Sequence, residues 1–188
     1  QGSVNNSPSP VAFALQIQVA EDWGDVPSST ELHDVFEACL TALARALPAN
    51  LVGALAKEIG VRLCDESESR QLNNHFRGRE NPTNVLSFGA MGEGELPVIK
   101  PTDEMIEKLP ELPLGDLAIC WPVVGAEALA QDKPVNHHLQ HLFIHGVLHL
   151  LGFDHEAAHD AEEMEQLECA VLEALHIPNP YICDTANA

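Results

Sequence analysis

The feature that most constrains this chain is the segment HGVLHLLGFDH, residues 145–155, in which three histidines accompany a glycine. Helical residues four positions apart lie on the same face, and the helical rise places His145 and His149 about 6 Å apart along the axis. Gly152 can adopt the left-handed conformation that ends a helix, so the chain can turn back and bring His155 to the same point. The segment therefore predicts a helix, a tight turn and a site for one metal ion.

Three protein ligands with a fourth position left open are typical of catalytic zinc sites rather than structural ones. We therefore predict one Zn²⁺ per chain, held by His145, His149 and His155, although imidazoles also bind nickel, copper or cobalt. The same spacing occurs in the metzincin proteases, where a general-base glutamate follows the first histidine. Gly146 stands at that position here and cannot accept a proton, so peptide hydrolysis is the less favoured alternative.

The other candidate residues near this segment carry weaker signals. His141 lies about 12 Å along the helix axis from His149, too far to share an ion with it, so we expect it to support the ligands or to lie at the surface. Asp154 either orients the third ligand or is an ordinary turn residue. Three further histidines are expected to be exposed rather than to bind metal: His137, His138 and His159.

The charge of the chain argues against general nucleic-acid binding. The formal net charge is −20, whereas proteins that bind nucleic acid through its phosphates usually carry an excess of Lys and Arg. Four of the nine basic residues nevertheless fall within eighteen positions, at Arg62, Arg70, Arg77 and Arg79. No Lys or Arg follows Lys133, so the histidine-rich end is acidic apart from its metal.

Length and cysteine usage are typical of one domain in a reducing compartment. The five cysteines are odd in number, widely spaced and without a CxxC pair, which favours free thiols in a cytoplasmic protein. We expect Cys64 and Cys120 to pack as small hydrophobic residues. No stretch approaches the roughly 18 apolar residues of a membrane span. Residues 1–10 are interpreted as a flexible leader or a cloning remnant, and residues 11–184 as a single domain.

Hydrophobic periodicity predicts an α/β fold: a four-stranded mixed sheet packed with about five helices. Ser28 and Glu31 form a capping-box pattern before the first helix, and Asn136 is expected to cap the histidine-bearing helix. Residues 90–113 have no clear period and are expected to form a long exposed loop. The predicted strands are 11–19, 59–63, 85–88 and 117–120, and the predicted helices are 29–47, 66–76, 123–131, 161–175 and the one that runs from its cap at 136 to 151.

The histidine segment resembles the signature of the YbeY family, metal-dependent endoribonucleases linked to ribosomal RNA maturation. Three further blocks resemble the same family in the expected order: LNNHFRGRENPTNVLSF at 72–88, LGDLAIC at 114–120 and EEMEQLE at 162–168. Some positions depart from the family pattern. Arg79 and Glu80 stand where Lys and Asp are common, Gly89 stands where proline is usual, and the segment 90–113 is long for the family.

The resemblance implies His145, His149 and His155 as zinc ligands, and Arg77 together with His149 as catalytic residues. An arginine suits this chemistry because its planar guanidinium can hold two phosphoryl oxygens on which charge develops. The zinc would activate a water and polarise the phosphate. The alternative for Arg77 is a structural salt bridge.

We therefore interpret the chain as a zinc-dependent, single-strand-specific endoribonuclease that acts in ribosomal RNA maturation and ribosome quality control. The expected partners are single-stranded RNA, ribosomal RNA and ribosome or small-subunit assembly components, with no membrane and no DNA. Two alternatives stay open: a ribosome-assembly factor with a mainly structural metal, and a metzincin-like zinc hydrolase that acts on peptides. RNA affinity is expected to fall steeply with salt, but with a modest slope that reflects few phosphate contacts.

Overall fold

The computed structural model describes residues 11–20, 23–89, 113–153 and 158–181. Four strands in these ranges form one sheet: β1 (Ala14–Val19), β2 (Glu58–Cys64), β3 (Val85–Gly89) and β4 (Gly115–Cys120). The spatial order is β1-β2-β4-β3, with β1, β2 and β4 parallel and β3 antiparallel to β4. The mixed four-stranded sheet confirms the predicted α/β architecture.

The described residues also contain six α-helices. They are α1 (Ser29–Ala46), α2 (Ala49–Val52), α3 (Glu66–Arg77), α4 (Trp121–Ala130), α5 (Val135–Leu150) and α6 (Ala158–Ala174), with a 3₁₀ turn at Gly53–Ala56. The five predicted helices are all present, and the additional one, α2, is a single turn. The capping box before α1 is confirmed, since Ser28 and Glu31 each bond the other's backbone N–H. Helix α4 begins two residues early because Pro122 fits the first turn of a helix.

The prediction that Asn136 caps α5 is wrong. The N-cap is Pro134, and no side chain caps this helix. The Pro134 carbonyl already accepts hydrogen bonds from the backbone N–H groups of His137 and His138. Asn136 therefore lies inside the first turn, where its side chain cannot serve as the cap.

Two apolar clusters fill the two faces of the sheet. The larger packs β2 and β4 against α1, α5 and α6, and includes stacked rings of Phe36 and Phe143 with centroids 4.2 Å apart. The smaller lies under α3 and α4 and contains Cys64 and Cys120, which are buried as predicted. Helices α5 and α3 thus lie on opposite faces, and both reach the region of strand β3.

Several predictions concern residues beyond the described ranges. These are the leader at 1–10, the loop at 90–112, Asp154, His155 and Cys183. The four described cysteines, Cys39, Cys64, Cys120 and Cys169, are free thiols. None of the helices in the described part combines the length and apolar composition needed to cross a bilayer.

Candidate functional site

Helix α5 brings two of the predicted metal ligands together. His145 and His149 lie one turn apart, and their Nε2 atoms are 3.0 Å from each other. Two ring nitrogens at this separation can direct their lone pairs at one ion. Gly152 follows with φ of 97°, the left-handed conformation expected at the helix end. His155 lies outside the described residues, so the third ligand stays a prediction.

A buried carboxylate that was not predicted supports this pair from α6. Glu168 is fully buried and accepts hydrogen bonds from His145 Nδ1, from the Tyr181 hydroxyl and, at 3.2 Å, from His141 Nε2. Burial alone would raise the pKa of Glu168, but the hydrogen bonds from His141, His145 and Tyr181 outweigh it and lower the pKa to about 2. An ionised carboxylate can only accept hydrogen bonds, so Nδ1 of His145 is the donor to Glu168, and Nε2 is the ring nitrogen that faces His149.

The arrangement of His145 and Glu168 fits a metal site. Histidines that bind metals usually donate their other ring N–H to a carboxylate or carbonyl, which fixes the tautomer and orients the ring. The sequence contained a signal for Glu168: it stands four residues after Met164 and three before Val171, on the apolar stripe of α6. A charged residue in such a stripe is buried only when it is paired.

His141 contacts this carboxylate without joining the pair. Its Nε2 lies 3.2 Å from Glu168 Oε2 and 3.3 Å from the Tyr181 hydroxyl oxygen. Among the residues that the structure describes, no set of three His, Cys, Asp or Glu side chains is placed to hold a metal ion. The described part of the chain therefore offers two ligands, and a third would come from beyond it, where His155 lies.

The prediction that His138 is exposed is wrong, because its side chain is buried with only 4% of the residue accessible. Its Nε2 lies 2.6 Å from Glu127 Oε2, and Glu127 also accepts from the Asn84 amide at 3.2 Å. Desolvation lowers the pKa of His138. The physical reason is helical periodicity, since His138 lies seven residues before His145 and so on the same face of α5. His137 is half-buried, and the side chain of His159 lies outside the described set.

His145 and His149 line a cavity of about 510 Å³. Two cations from different elements share its lining: Arg77, the last residue of α3, and Lys133, in the turn before α5. Helix α3 ends there because Gly78 takes the left-handed conformation, with φ of 64°. The cavity thus places a candidate ion-binding pair in the same space as two positive charges.

The other predicted arginines lie elsewhere. Arg62 pairs with Glu68 at 2.6 Å, and neither Arg70 nor Arg79 lines the cavity. Within the described ranges no carboxylate lies within ion-pair distance of Arg77, so the salt-bridge alternative for this residue gains no support there. Sequence reasoning missed Lys133, whose place in the cavity follows from the turn between α4 and α5.

Gly146 is a glycine because the sheet leaves no room for a side chain. A Cβ added there would lie 2.8 Å from Leu117 Cδ2 and 3.4 Å from Ser87 Oγ. The Ser87 hydroxyl also donates to the Gly146 carbonyl at 3.3 Å, which ties β3 to α5. A glutamate at this position, as in the metzincins, would have to displace Leu117, and this counts against the peptidase alternative.

Comparisons with known proteins point to one family. A family model described as Endoribonuclease YbeY matches residues 17–176. The chain is 43% identical over 183 residues to the Endoribonuclease YbeY of Alkalilimnicola ehrlichii, covering 97% of each chain. It is 40% identical over 169 residues to that of Coxiella burnetii, covering 90% of this chain and 98% of the relative. It is 51% identical over 125 residues to that of Acinetobacter baumannii, covering 66% and 73%.

Proposed function

The chain belongs to the family of the endoribonuclease YbeY, and from that premise we propose that it is a zinc-dependent endoribonuclease of single-stranded RNA. Ribosomal RNA, cleaved during ribosome maturation and quality control in the cytoplasm, is the proposed substrate. The observation that carries the proposal is the cavity in which the His145–His149 pair shares one lining with Arg77 and Lys133. A phosphodiester brings negative charge that grows at the phosphoryl oxygens during cleavage, and cations at such a site stabilise it.

His145 and His149 would hold the zinc together with His155. When bound, zinc acts as a Lewis acid and lowers the pKa of a coordinated water. The chain's own contribution is to prepare the ligands: Glu168 holds the proton of His145 at Nδ1 and orients the ring. The hydrogen bond from Ser87 to Gly146 holds the helix that carries both histidines against β3.

The two cations have different surroundings and therefore different roles in the proposal. Arg77 is exposed at the end of α3, where its guanidinium can make two parallel hydrogen bonds to a phosphate. Lys133 is partly buried; desolvation lowers its pKa, and the nearby Glu127 carboxylate acts in the opposite direction. We assign Arg77 to the phosphate that is cleaved and Lys133 to a neighbouring phosphate, which gives few phosphate contacts and a modest dependence on salt.

The proposal is tested by cleavage of matched single-stranded and duplex RNA, with bound metal measured on every protein. Wild type is expected to cut the single strand. His149→Ala should lose cleavage and metal, whereas Arg77→Glu should lose cleavage but keep its metal and fold. Arg45→Ala serves as the control, because Arg45 is exposed on α1 and lies outside the cavity lining.

Each alternative predicts a different result in that assay. Wild-type rates for Arg77→Glu would remove Arg77 from the catalytic residues. A metal-loaded wild type that cuts neither RNA would contradict the nuclease proposal and favour an assembly factor with a structural metal. Cleavage of casein but not RNA would favour the peptidase alternative. It would also contradict the argument against a peptidase drawn from the packing of Gly146 on the sheet. Binding to isolated small subunits tests the proposed ribosomal partners.

A further inference from the structure

One apolar side chain beside the cavity has no part in the site described so far. Phe76 lies in the last turn of α3, directly before Arg77, and is 58% exposed. Among the large hydrophobic residues of the described ranges, only Leu129 is more exposed. A single exposed hydrophobic residue needs no functional explanation. The inference therefore rests on what surrounds Phe76.

Two other rings hold Phe76 in place. The Phe88 ring lies 4.9 Å away, centroid to centroid, at an interplanar angle of 61°, and the His75 ring lies 4.6 Å away at 90°. Phe88 itself packs against the smaller apolar core. Edge-to-face contacts between rings are favourable, so Phe76 packs on two neighbours while most of its surface stays exposed. We call His75, Phe76 and Phe88 the three-ring cluster.

Two residues of the three-ring cluster are direct sequence neighbours of residues that line the cavity. Phe76 precedes Arg77, and Phe88 follows Ser87, and both Arg77 and Ser87 line the cavity. Successive side chains of a strand point to opposite faces. Ser87 accordingly faces α5, where it donates to Gly146, while Phe88 faces the smaller core. Among the strands that the structure describes, β3 is the last in the sheet order, so Ser87 at the cavity and Phe88 in the cluster lie on the two faces of an outer strand.

The chemistry of the cluster suits a nucleobase of a single strand. Unpaired RNA bases are recognised by stacking on Phe, Tyr, Trp or His, and removing such a ring weakens binding by about 5- to 100-fold. Bases within a duplex are already stacked and paired, so they cannot reach an external ring. Stacking tolerates any base, because each has a flat π-face. A platform of this kind selects for unpaired RNA and not for its sequence.

We propose that the three-ring cluster stacks an unpaired base of the nucleotide next to the phosphate bound by Arg77, and that it contributes to a preference for single-stranded RNA. The inference rests on the proposed endoribonuclease function and specifies how that site takes its substrate. Phe76 is a binding residue in this account and does not touch the reacting atoms.

The test measures KM and kcat for cleavage of one single-stranded RNA by wild type, Phe76→Leu and Phe76→Tyr. Phe76→Leu should raise KM by about 5- to 100-fold with little change in kcat, and Phe76→Tyr should stay near wild type because the ring is retained. Leu129→Ala is the control, since Leu129 is an exposed hydrophobic residue outside the cluster. Circular dichroism of each variant confirms that the fold is kept.

A series of abasic substrates tests the base directly, and its first measurement uses wild type alone. Single abasic nucleotides are placed in turn at each position around the cleavage site. For wild type, one abasic position should raise KM by the same factor as Phe76→Leu, and at that position Phe76→Leu should show no further loss.

The outcomes separate this inference from the proposed function. The base-stacking role of the three-ring cluster would be overturned by an unchanged KM for Phe76→Leu. It would also be overturned if Phe76→Leu raised KM equally on intact RNA and on RNA with an abasic nucleotide at any position. The nuclease proposal would stand in both cases. A wild type that neither binds nor cuts single-stranded RNA would overturn both. Equal losses for Phe76→Leu and Phe76→Tyr would mean that the ring's packing matters, and not its stacking on a base.

Discussion

Replacing Gly146 by alanine should destabilise this protein, although alanine is the better helix former. The added Cβ would lie 2.8 Å from Leu117 Cδ2 and 3.2 Å from Leu117 Cδ1. Leu117 is enclosed by the core, with 1% of its surface exposed, and cannot turn away without displacing its neighbours. Overpacking a filled core costs about 1–3 kcal/mol, whereas replacing glycine by alanine within a helix gains about 1 kcal/mol. The net expectation is a loss of about 0–2 kcal/mol of unfolding free energy.

A matched substitution isolates the packing contribution. Gly125 lies within α4, and a Cβ added there meets no atom within 4 Å. Gly125→Ala should therefore show only the gain in helix propensity, about 1 kcal/mol. The difference between Gly125→Ala and Gly146→Ala cancels the propensity and should be about 1–3 kcal/mol. Urea unfolding followed by circular dichroism, with an unchanged m-value, measures it.

The refuting result is a Gly146→Ala protein as stable as Gly125→Ala. Helix α5 would then not be packed as closely on β4 as the structure has it, and the reason given for the missing glutamate would fail. The same substitution bears on the proposed metal site, because His145 and His149 both lie within one helical turn of Gly146. Gly146→Ala should push α5 away from Leu117 and so lower the zinc affinity measured by chelator competition. Gly125→Ala should leave the zinc affinity unchanged.

Three further predictions concern the carboxylate, the second cation and the first helix cap. Glu168→Gln removes the carboxylate under the histidine pair and should weaken zinc binding about 10- to 100-fold, as measured by chelator competition. Glu165→Gln, exposed on the same helix, should have no effect, and equal affinity in both variants would contradict the orienting role. Lys133→Ala should reduce the slope of log affinity for single-stranded RNA against log salt by about 0.7, as measured by fluorescence anisotropy. Lys57→Ala, outside the cavity, should leave the slope unchanged, and an unchanged slope for both would remove Lys133 from the phosphate contacts. Ser28→Ala removes the N-cap oxygen of α1 and should cost about 1 kcal/mol of unfolding free energy in urea; no change in the midpoint would show that this cap contributes nothing.

Most of the secondary structure could be predicted because its signals are local. The capping box at Ser28, the alternation of β1 and the left-handed glycine at position 152 each act within a few residues. The two errors have different causes, one local and one a contact between helices. Asn136 is a good capping residue, but the chain enters the helix two residues earlier, at Pro134. His138 looked like a surface residue because its partner, Glu127, lies on another helix.

The sequence by itself determined the pairing of His145 and His149, because the spacing of side chains along one helix follows from helix geometry alone. It also determined that Gly146 supplies no base. Only the tertiary structure decided that Glu168 lies beneath the pair and that Lys133 shares the cavity with Arg77. It also supplied the reason for Gly146, the contact with Leu117. These contacts join elements far apart in the chain, and they depend on how α3, α5 and α6 pack around the sheet, which no local pattern specifies.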